Sequence, residues 1–252
     1  MIPLADQHSA TPSSAARRKP KEIRLSRIAW VQHQLALPLL RRSAGLRRKV
    51  ANIADISGYL DWQLATFGEI KLVRTKRDLW KQMATRMASA QEPWHGIEFG
   101  VAYGHATDWW LTNNDARVVA TWDGFDRFTG LPRAWREHEA GAFDAGAQTP
   151  DIDDPRVAWH VGDVEDTIVR LDVDRIASGR RLAYFDLDVY EPSKVAWDWL
   201  RPHLRPGDIL YFDEAFDADE RRLLNETVLP GGRFDYIGAT DMNLALEIRA
   251  LA

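Results

Sequence analysis

Short apolar segments alternate with helix-forming segments from residue 95 onward, and this alternation limits the folds available to the chain. Predicted strands lie near residues 95–99, 117–122, 157–160, 181–187, 208–213, 233–238 and 243–249, and predicted helices near residues 104–113, 164–174, 192–203 and 216–228. Such alternation favours a mostly parallel sheet with helices on both faces. The link between the last two strands is too short for a helical crossover, so they should pair antiparallel. We therefore predict an α/β, Rossmann-like fold with a seven-stranded, mostly parallel sheet and one antiparallel edge strand.

Residues 1–92 do not follow this alternation. Residues 1–21 are rich in Ser, Ala and Pro and contain the basic run Arg17–Lys19, a composition that cannot bury a core, so we predict a disordered basic tail. Residues 22–92 contain three helix-like segments. They predict an N-terminal helical extension, which would serve as a lid over a ligand or as the contact of a homodimer. Residues 93–252 would form the ligand-binding domain.

The charge distribution bears on the partners of the protein. Residues 1–50 contain 11 Lys/Arg and 2 Asp/Glu, a net charge of +9, whereas the remainder contains 22 and 35, a net charge of −13. A basic arm of this kind is either a solvated tail or a docking segment for a partner. The acidic body argues against nucleic acid as a substrate.

Several classes of protein are excluded by what the sequence lacks. There is no cysteine, which excludes disulfides and thiolate zinc sites and is compatible with the cytoplasmic location that we expect. No window approaches the roughly 18 uninterrupted apolar residues of a membrane span. The basic run is not followed by an apolar region that ends in a small-residue cleavage site, which argues against an export signal but leaves an organellar transit peptide open.

The first predicted strand ends in a turn that contains two glycines and one acidic residue. Gly100 leaves no Cβ in the way of a ligand, and Gly104 lets the next helix begin close to the strand. Glu98 places a carboxylate at the carboxyl end of a central strand, where open α/β sheets bind ligands. The spacing differs from the dinucleotide fingerprint but is similar to the first motif of class I S-adenosylmethionine-dependent methyltransferases. This resemblance implies that Glu98, Gly100, Tyr103, Gly104 and His105 bind the methyl donor.

Two further stretches of the sequence resemble one particular family of these methyltransferases. Residues 124–132 resemble the GFDxFxGLP signature of the macrocin O-methyltransferase family, whose members methylate antibiotic sugars. The resemblance implies that Asp126, rather than Asp123, binds the ribose of the donor; a turn-capping Asp is the alternative. Residues 161–167 resemble the G-x-x-x-D-T segment of the same family. Asp163 would then lie near the adenine, or it would cap the following helix.

Acidic residues follow two neighbouring predicted strands. Residues 185–194 resemble the D-x-D-x-Y-E segment of the family, and Asp213 and Glu214 end the next strand. Carboxylates that converge in this way need a cation or a shared proton, and oxygen ligands favour Mg²⁺. We predict a Mg²⁺ site formed by Asp186, Asp213 and Glu214, with Asp186 also near the donor. Asp188 is left as the general base.

The chain departs from the family at this point, because the family usually has two aspartates where this sequence has Asp213 and Glu214. The alternative is that these acids cap helices or bind the donor without a metal. Taken together, the motifs predict a metal-assisted S-adenosylmethionine-dependent O-methyltransferase that acts on a hydroxyl of a sugar or another small natural product. The competing hypotheses are a metal-independent methyltransferase and a non-catalytic protein that binds the donor and docks a partner through its basic arm.

Overall fold

The structure, a computed structural model, describes residues 37–252, and residues 94–251 contain a seven-stranded sheet. Its strands are β1 (Trp94–Phe99), β2 (Val119–Asp126), β3 (Val157–Val161), β4 (Arg180–Phe185), β5 (Ile209–Phe212), β6 (Gly232–Ala239) and β7 (Leu244–Leu251). Their order across the sheet is β3-β2-β1-β4-β5-β7-β6. Strands β1 to β5 are parallel, and β7 is antiparallel to both of its neighbours. The strand order reverses between β1 and β4, which is where such sheets bind ligands.

The described helices are α1 (Leu37–Arg42), α2 (Ala44–Phe67), α3 (Lys76–Ala88), α4 (His105–Asn113), α5 (Val164–Thr167), α6 (Val173–Ala177), α7 (Tyr190–Leu200) and α8 (Ala218–Leu223). The chain divides into two units between Val50 and Ala51, and the sheet lies wholly in the second unit. The predicted tail and the first part of the predicted extension, residues 22–36, lie outside the described residues. Within the described part, no helix has both the length and the apolar character needed to cross a membrane.

The predicted fold class is confirmed, with differences at particular elements. The antiparallel strand β7 lies one position inside the sheet, so that β6 forms the edge. Strand β2 extends beyond its predicted end to Asp126, because its last residues stay paired with β3 up to Val161. The helix predicted over residues 164–174 is divided into α5 and α6, because the Asp172 side chain accepts a hydrogen bond from the Arg175 amide and begins a new helix.

Aromatic side chains fill the space between the sheet and its helices. On one face, Trp80 of α3 packs against Tyr184 and Tyr211, with ring centroids 6.1 and 6.3 Å away. Helices α5, α7 and α8 cover the other face, where the large buried side chains include Phe99, Phe125, Phe185, Phe212 and Trp197. Each such burial stabilises the fold by about 1.5–3 kcal/mol. The packing therefore holds the carboxyl ends of the central strands rigidly.

Helix α2, which precedes the sheet, is joined to it by buried hydrogen bonds from residues beyond Val50. The Tyr59 hydroxyl of α2 donates to the backbone carbonyl of Asn243 over 2.9 Å, and the Tyr236 hydroxyl donates to Gln63 over 2.6 Å. Thr75 caps α3, as predicted, by accepting a hydrogen bond from the Asp78 amide. Whether α2 acts as a lid or as a homodimer contact stays a prediction.

Candidate active site

A cavity of about 740 Å³ lies at the carboxyl ends of the parallel strands. Its wall includes residues that follow or end each of these five strands, namely Gly100, Asp126, Gly162, Asp186 and Glu214. Further parts of the wall come from the loop after β2 and from the start of α7, and include Leu131, Arg133, Trp135, Phe143 and Val189. The volume is typical of a site for a small molecule.

Gly100 is required by the contact between two strands. Its φ is +86°, and a Cβ atom at this position would lie 1.7 Å from the carbonyl oxygen of Asp186. The sequence predicted that a glycine is needed here so that a ligand can approach. In the structure, the backbone of Asp186 already leaves no space for a side chain. Close packing of β1 against β4 therefore brings the loop after β1 next to the acidic segment after β4.

Gly104 also has a role that differs from the prediction. Its φ is +77°, and an added Cβ would lie 2.7 Å from the Cβ of Pro150. The glycine thus makes room for the loop over residues 128–156 rather than for helix α4 against its strand. The adjacent Tyr103 is 55% exposed, and its hydroxyl donates to the Asp144 carbonyl. Neither Tyr103 nor Gly104 lines the cavity, whereas His105 does.

Glu98 is buried on the face of the sheet that α4 covers. Its Oε2 accepts hydrogen bonds from the Thr107 hydroxyl and from Trp122 Nε1. Burial, only partly offset by these hydrogen bonds, raises the pKa of Glu98 to about 8. The side chain does not line the cavity. In this position Glu98 links β1, β2 and α4 beneath the glycine turn.

The structure distinguishes the two aspartates of β2. Asp123 is fully buried, where it pairs with Arg175 and with His160 Nε2 at 2.8 Å. Asp126 lines the cavity. Its Oδ2 accepts hydrogen bonds from the amides of Val101 and Ala102, over 2.7 and 2.8 Å. Asp126 therefore fixes the loop after β1 as well as facing the cavity.

Asp163 lies at the N-cap position of α5 but makes no capping hydrogen bond through its side chain. Its carboxylate pairs with Arg127 Nε at 2.8 Å, and both residues line the cavity. Of the two alternatives from the sequence, the described contacts favour a place in the cavity wall over side-chain capping.

Three carboxylates meet at one end of the cavity. Asp186, Asp188 and Glu214 each offer an oxygen, and these oxygens all lie within 4.8 Å of one another. Burial, together with the charges of Asp213 and Asp188, raises the pKa of Asp186 well above its usual value. Burial and the charge of Asp213 likewise raise the pKa of Asp188 to about 7. Concentrated negative charge of this kind attracts a cation.

Asp188 has an uncommon backbone conformation. Its φ is +62°, and the Val189 amide donates to the Leu187 carbonyl across it over 2.7 Å. A non-glycine residue in the left-handed region costs of the order of 1–3 kcal/mol, and such residues are concentrated at functional sites. This turn brings the Asp188 side chain beside Asp186 and Glu214.

Asp213 does not belong to the group of three, although it was predicted as a metal ligand. Its carboxylate accepts hydrogen bonds from the hydroxyls of Tyr184 and Tyr211, over 3.2 and 2.8 Å. Lys76 Nζ and Asn243 Nδ2 also lie within 3.5 Å of it. Tyr211 and Asp213 are two positions apart on an extended segment and share a side, which directs this carboxylate toward α3. The described geometry brings Asp188 to the cluster in place of Asp213.

Two buried oxygens beside the cluster have no hydrogen-bond partner among the described residues. They are Glu214 Oε2 and Glu220 Oε1. Glu220 lies in α8 with 1% exposure, and its other oxygen accepts a hydrogen bond from the Glu214 amide. No sequence motif predicted Glu220. It follows Glu214 by six residues, and only the position of α8 brings its carboxylate back to the site. The unpaired oxygen of Glu214 is suited to a metal ion.

Two arginines fasten the loop over residues 128–156. Arg133 pairs with Glu191 and Asp219, at 3.1 and 2.7 Å. Arg136 Nη1 lies 2.9 Å from Asp217, and its Nη2 bonds to α2. These contacts join the loop to α2 and to the starts of α7 and α8. The loop contains several glycines and prolines, but no sequence motif marks the two arginines that hold it.

Comparisons with protein-family models and with curated protein sequences find no match. Among solved structures, the chain is similar to the calicheamicin methyltransferase CalS11, with 19% sequence identity, a TM-score of 0.50, and coverage of 96% of this chain and 99% of that chain. It is also similar to the O-methyltransferase NovP, with 17% identity, a TM-score of 0.49, and coverage of 68% and 79%. MycE from the mycinamycin pathway, in complex with Mg and SAH, matches with 14% identity, a TM-score of 0.39, and coverage of 69% and 49%.

The likeness to CalS11 shows a shared fold. The chain has the fold of a class I methyltransferase, and the structural resemblance predicted from its motifs is confirmed.

Proposed function

We propose that the protein is an S-adenosylmethionine-dependent O-methyltransferase that acts on a hydroxyl of a small natural product or sugar. The observation that carries this proposal is the position of Asp188, which lies in the cavity at the switch point of the sheet beside Asp186 and Glu214. A fold shared with methyltransferases supports the methyl donor as the ligand. The cavity is large enough for a donor and part of an acceptor.

The donor would lie across the glycine turn, with its ribose near Asp126 and its adenine near Asp163. Gly100 and His105 also line this part of the cavity. Glu98, Tyr103 and Gly104, which were predicted to bind the donor, would act indirectly by holding the turn. The donor supplies a sulfonium methyl group, which is open to attack by an oxygen nucleophile.

The three carboxylates fit a divalent cation. All their ligand atoms are oxygens, and Glu214 also has a buried oxygen, Oε2, with no hydrogen-bond partner among the described residues. Asp186 and Glu214 would hold Mg²⁺, which commonly keeps several waters and uses only one or two carboxylates. When bound, the ion would lower the pKa of an acceptor hydroxyl and orient its oxygen. Asp213 would contribute through its charge rather than as a ligand.

Asp188 would take the proton from the acceptor hydroxyl. As it does so, the acceptor oxygen forms a bond to the methyl carbon, and the bond from that carbon to sulfur breaks with its electron pair left on sulfur. Burial and neighbouring charges raise the pKa of Asp188 to about 7, which is close to the range in which a general base is most effective. The remaining residues would align the oxygen with the methyl group and exclude water.

Calorimetry with S-adenosylmethionine, with and without Mg²⁺, tests the binding part of this proposal. We expect binding by the wild-type protein, and no binding at high protein concentration would refute the proposal. The chemical part is tested with the Asp188→Asn variant and a panel of hydroxylated acceptors, read by mass. We expect donor binding to persist and methyl transfer to fall by about 10²–10⁴-fold.

The same assay separates the two competing functions. Turnover that is unchanged in EDTA would support a metal-independent methyltransferase. A protein that binds the donor but methylates no acceptor in the panel, and that needs Arg17–Lys19 to retain a partner, would support the non-catalytic alternative.

A further inference from the structure

Three described cations line the cavity, and two of them are closely paired with acids. Arg127 bonds Asp163 at 2.8 Å, and the tighter contact of Arg133, with Asp219, is 2.7 Å. Lys76 Nζ, in contrast, lies 3.3 and 3.5 Å from the two oxygens of Asp213. Charge-assisted hydrogen bonds are typically about 2.7–2.9 Å long. The ammonium of Lys76 is therefore held loosely, and its side chain is 48% exposed.

The glycine turn has few free donors for the anionic end of a ligand. The amides of Val101 and Ala102 already donate to Asp126, and those of Gly100 and Gly104 donate to backbone carbonyls. Four of the five amides from Gly100 to Gly104 are thus used inside the protein. A carboxylate bound beside this turn therefore finds few free donors within the turn itself, and a cation elsewhere in the wall would strengthen its binding.

Among the three described cations of the cavity wall, Lys76 is the one that is not already held at a short distance by an acid. It begins α3 and lines the same cavity as Gly100 and Asp186. Burial lowers the pKa of Lys76, but the charges of Asp213 and Asp186 outweigh this effect and leave its pKa above the usual value. The side chain is therefore cationic at neutral pH, and Asp213 keeps it at the edge of the cavity.

We propose that Lys76 binds the carboxylate of the methionine moiety of the donor. Asp186, which lies at the same end of the cavity, would face the ammonium of that moiety. The assignment rests on the proposed function, and it gives helix α3 a direct part in binding the donor.

The test compares two ligands that share the thioadenosine moiety. S-adenosylhomocysteine carries the carboxylate, whereas 5′-methylthioadenosine lacks the whole amino-acid end. Titration calorimetry of Lys76→Gln should show about a tenfold or greater loss of affinity for S-adenosylhomocysteine, which corresponds to the loss of one charge-assisted hydrogen bond. Affinity for 5′-methylthioadenosine should not change.

Lys81→Gln is the matched control. Lys81 lies on the same helix, is 68% exposed, and faces Asp78 at 3.6 Å rather than the cavity. This variant should bind both ligands like the wild-type protein. Lys76→Arg keeps the cation and should lose less affinity for S-adenosylhomocysteine than Lys76→Gln. This second variant distinguishes the loss of the positive charge from a failure to fold.

Two results would overturn the assignment of Lys76. One is an unchanged affinity of Lys76→Gln for S-adenosylhomocysteine, and the other is an equal loss for both ligands, which would indicate a general distortion of the site. Failure of the proposed function is a different result, because the wild-type protein would then bind neither ligand.

Discussion

The carbonyl oxygen of Asp186 occupies the space into which a side chain on Gly100 would project, 1.7 Å from the Cβ position. This contact joins the glycine turn after β1 to the acidic segment after β4. It couples the region proposed to bind the donor to the region proposed to take the proton. A change at Gly100 should therefore disturb both.

Gly100→Ala should destabilise the protein by about 2–5 kcal/mol, because a left-handed backbone strain adds to a clash with rigid backbone. Gly141→Ala is a matched control, because Gly141 has a φ of +82° but nothing within 4 Å of its Cβ position. It should lose only the strain, about 1–2 kcal/mol. Urea unfolding measures both values. Equal losses of unfolding free energy in the two variants would show that the close contact with Asp186 does not affect stability.

Glu98 should make stability depend on pH. Its pKa is about 8 in the folded protein, against 4.5 ordinarily, so the folded state binds more protons between these values. The free energy of unfolding therefore falls as pH rises from 4.5 to 8, by at most about 1.4 kcal/mol per pH unit from this group. Glu98→Gln cannot ionise and lacks this slope.

Urea unfolding at pH 5.5, 6.5 and 7.5 measures the difference between wild type and Glu98→Gln. The difference should shift in favour of the variant as pH rises. Glu165→Gln, at an exposed position in α5, should show no such shift. A difference that is constant across this range would mean that Glu98 is ionised in the folded protein throughout.

Mg²⁺ binding should strengthen as pH rises from about 6 to 8. Below its pKa of about 7, Asp188 is largely protonated, and that proton competes with a cation for the cluster. Calorimetry in buffers of different ionisation enthalpy should detect proton release on binding near pH 7. Asp188→Asn should release fewer protons. Release that is the same in both proteins would place the proton on another carboxylate.

Arg136→Gln should loosen the loop over residues 128–156. The side chain of Arg136 is 17% exposed, and its loss leaves Asp217, which is 7% exposed, without its charged partner. We expect a loss of about 1–3 kcal/mol in the free energy of unfolding and faster proteolysis within the loop. S-adenosylhomocysteine affinity should change little, and the KM for an acceptor should rise. Arg117→Gln changes a 91% exposed side chain whose one acidic partner among the described residues is Asp115, and it should have none of these effects.

Much of the fold could be predicted from the sequence, because strand and helix periodicities are local properties. The alternation after residue 95 predicted the sheet, and the short link before β7 predicted its antiparallel pairing. Element ends were harder to predict. Strand β2 reaches Asp126 because of its pairing with β3, and α5 ends early because Asp172 caps a new helix. In both cases, strand pairing or helix capping sets the end of an element at a residue that hydrophobic periodicity does not predict.

The sequence by itself determined which carboxylates stand at the carboxyl ends of β4 and β5, because strand ends and their acidic residues are neighbours in the chain. Only the tertiary structure decided which of them meet. Asp213 turns toward two tyrosines and toward Lys76, which lies 137 positions away, whereas the left-handed turn at Asp188 carries that side chain to Asp186 and Glu214. Side-chain direction at a strand end depends on the partners that packing supplies, and these partners come from segments that are distant in the sequence.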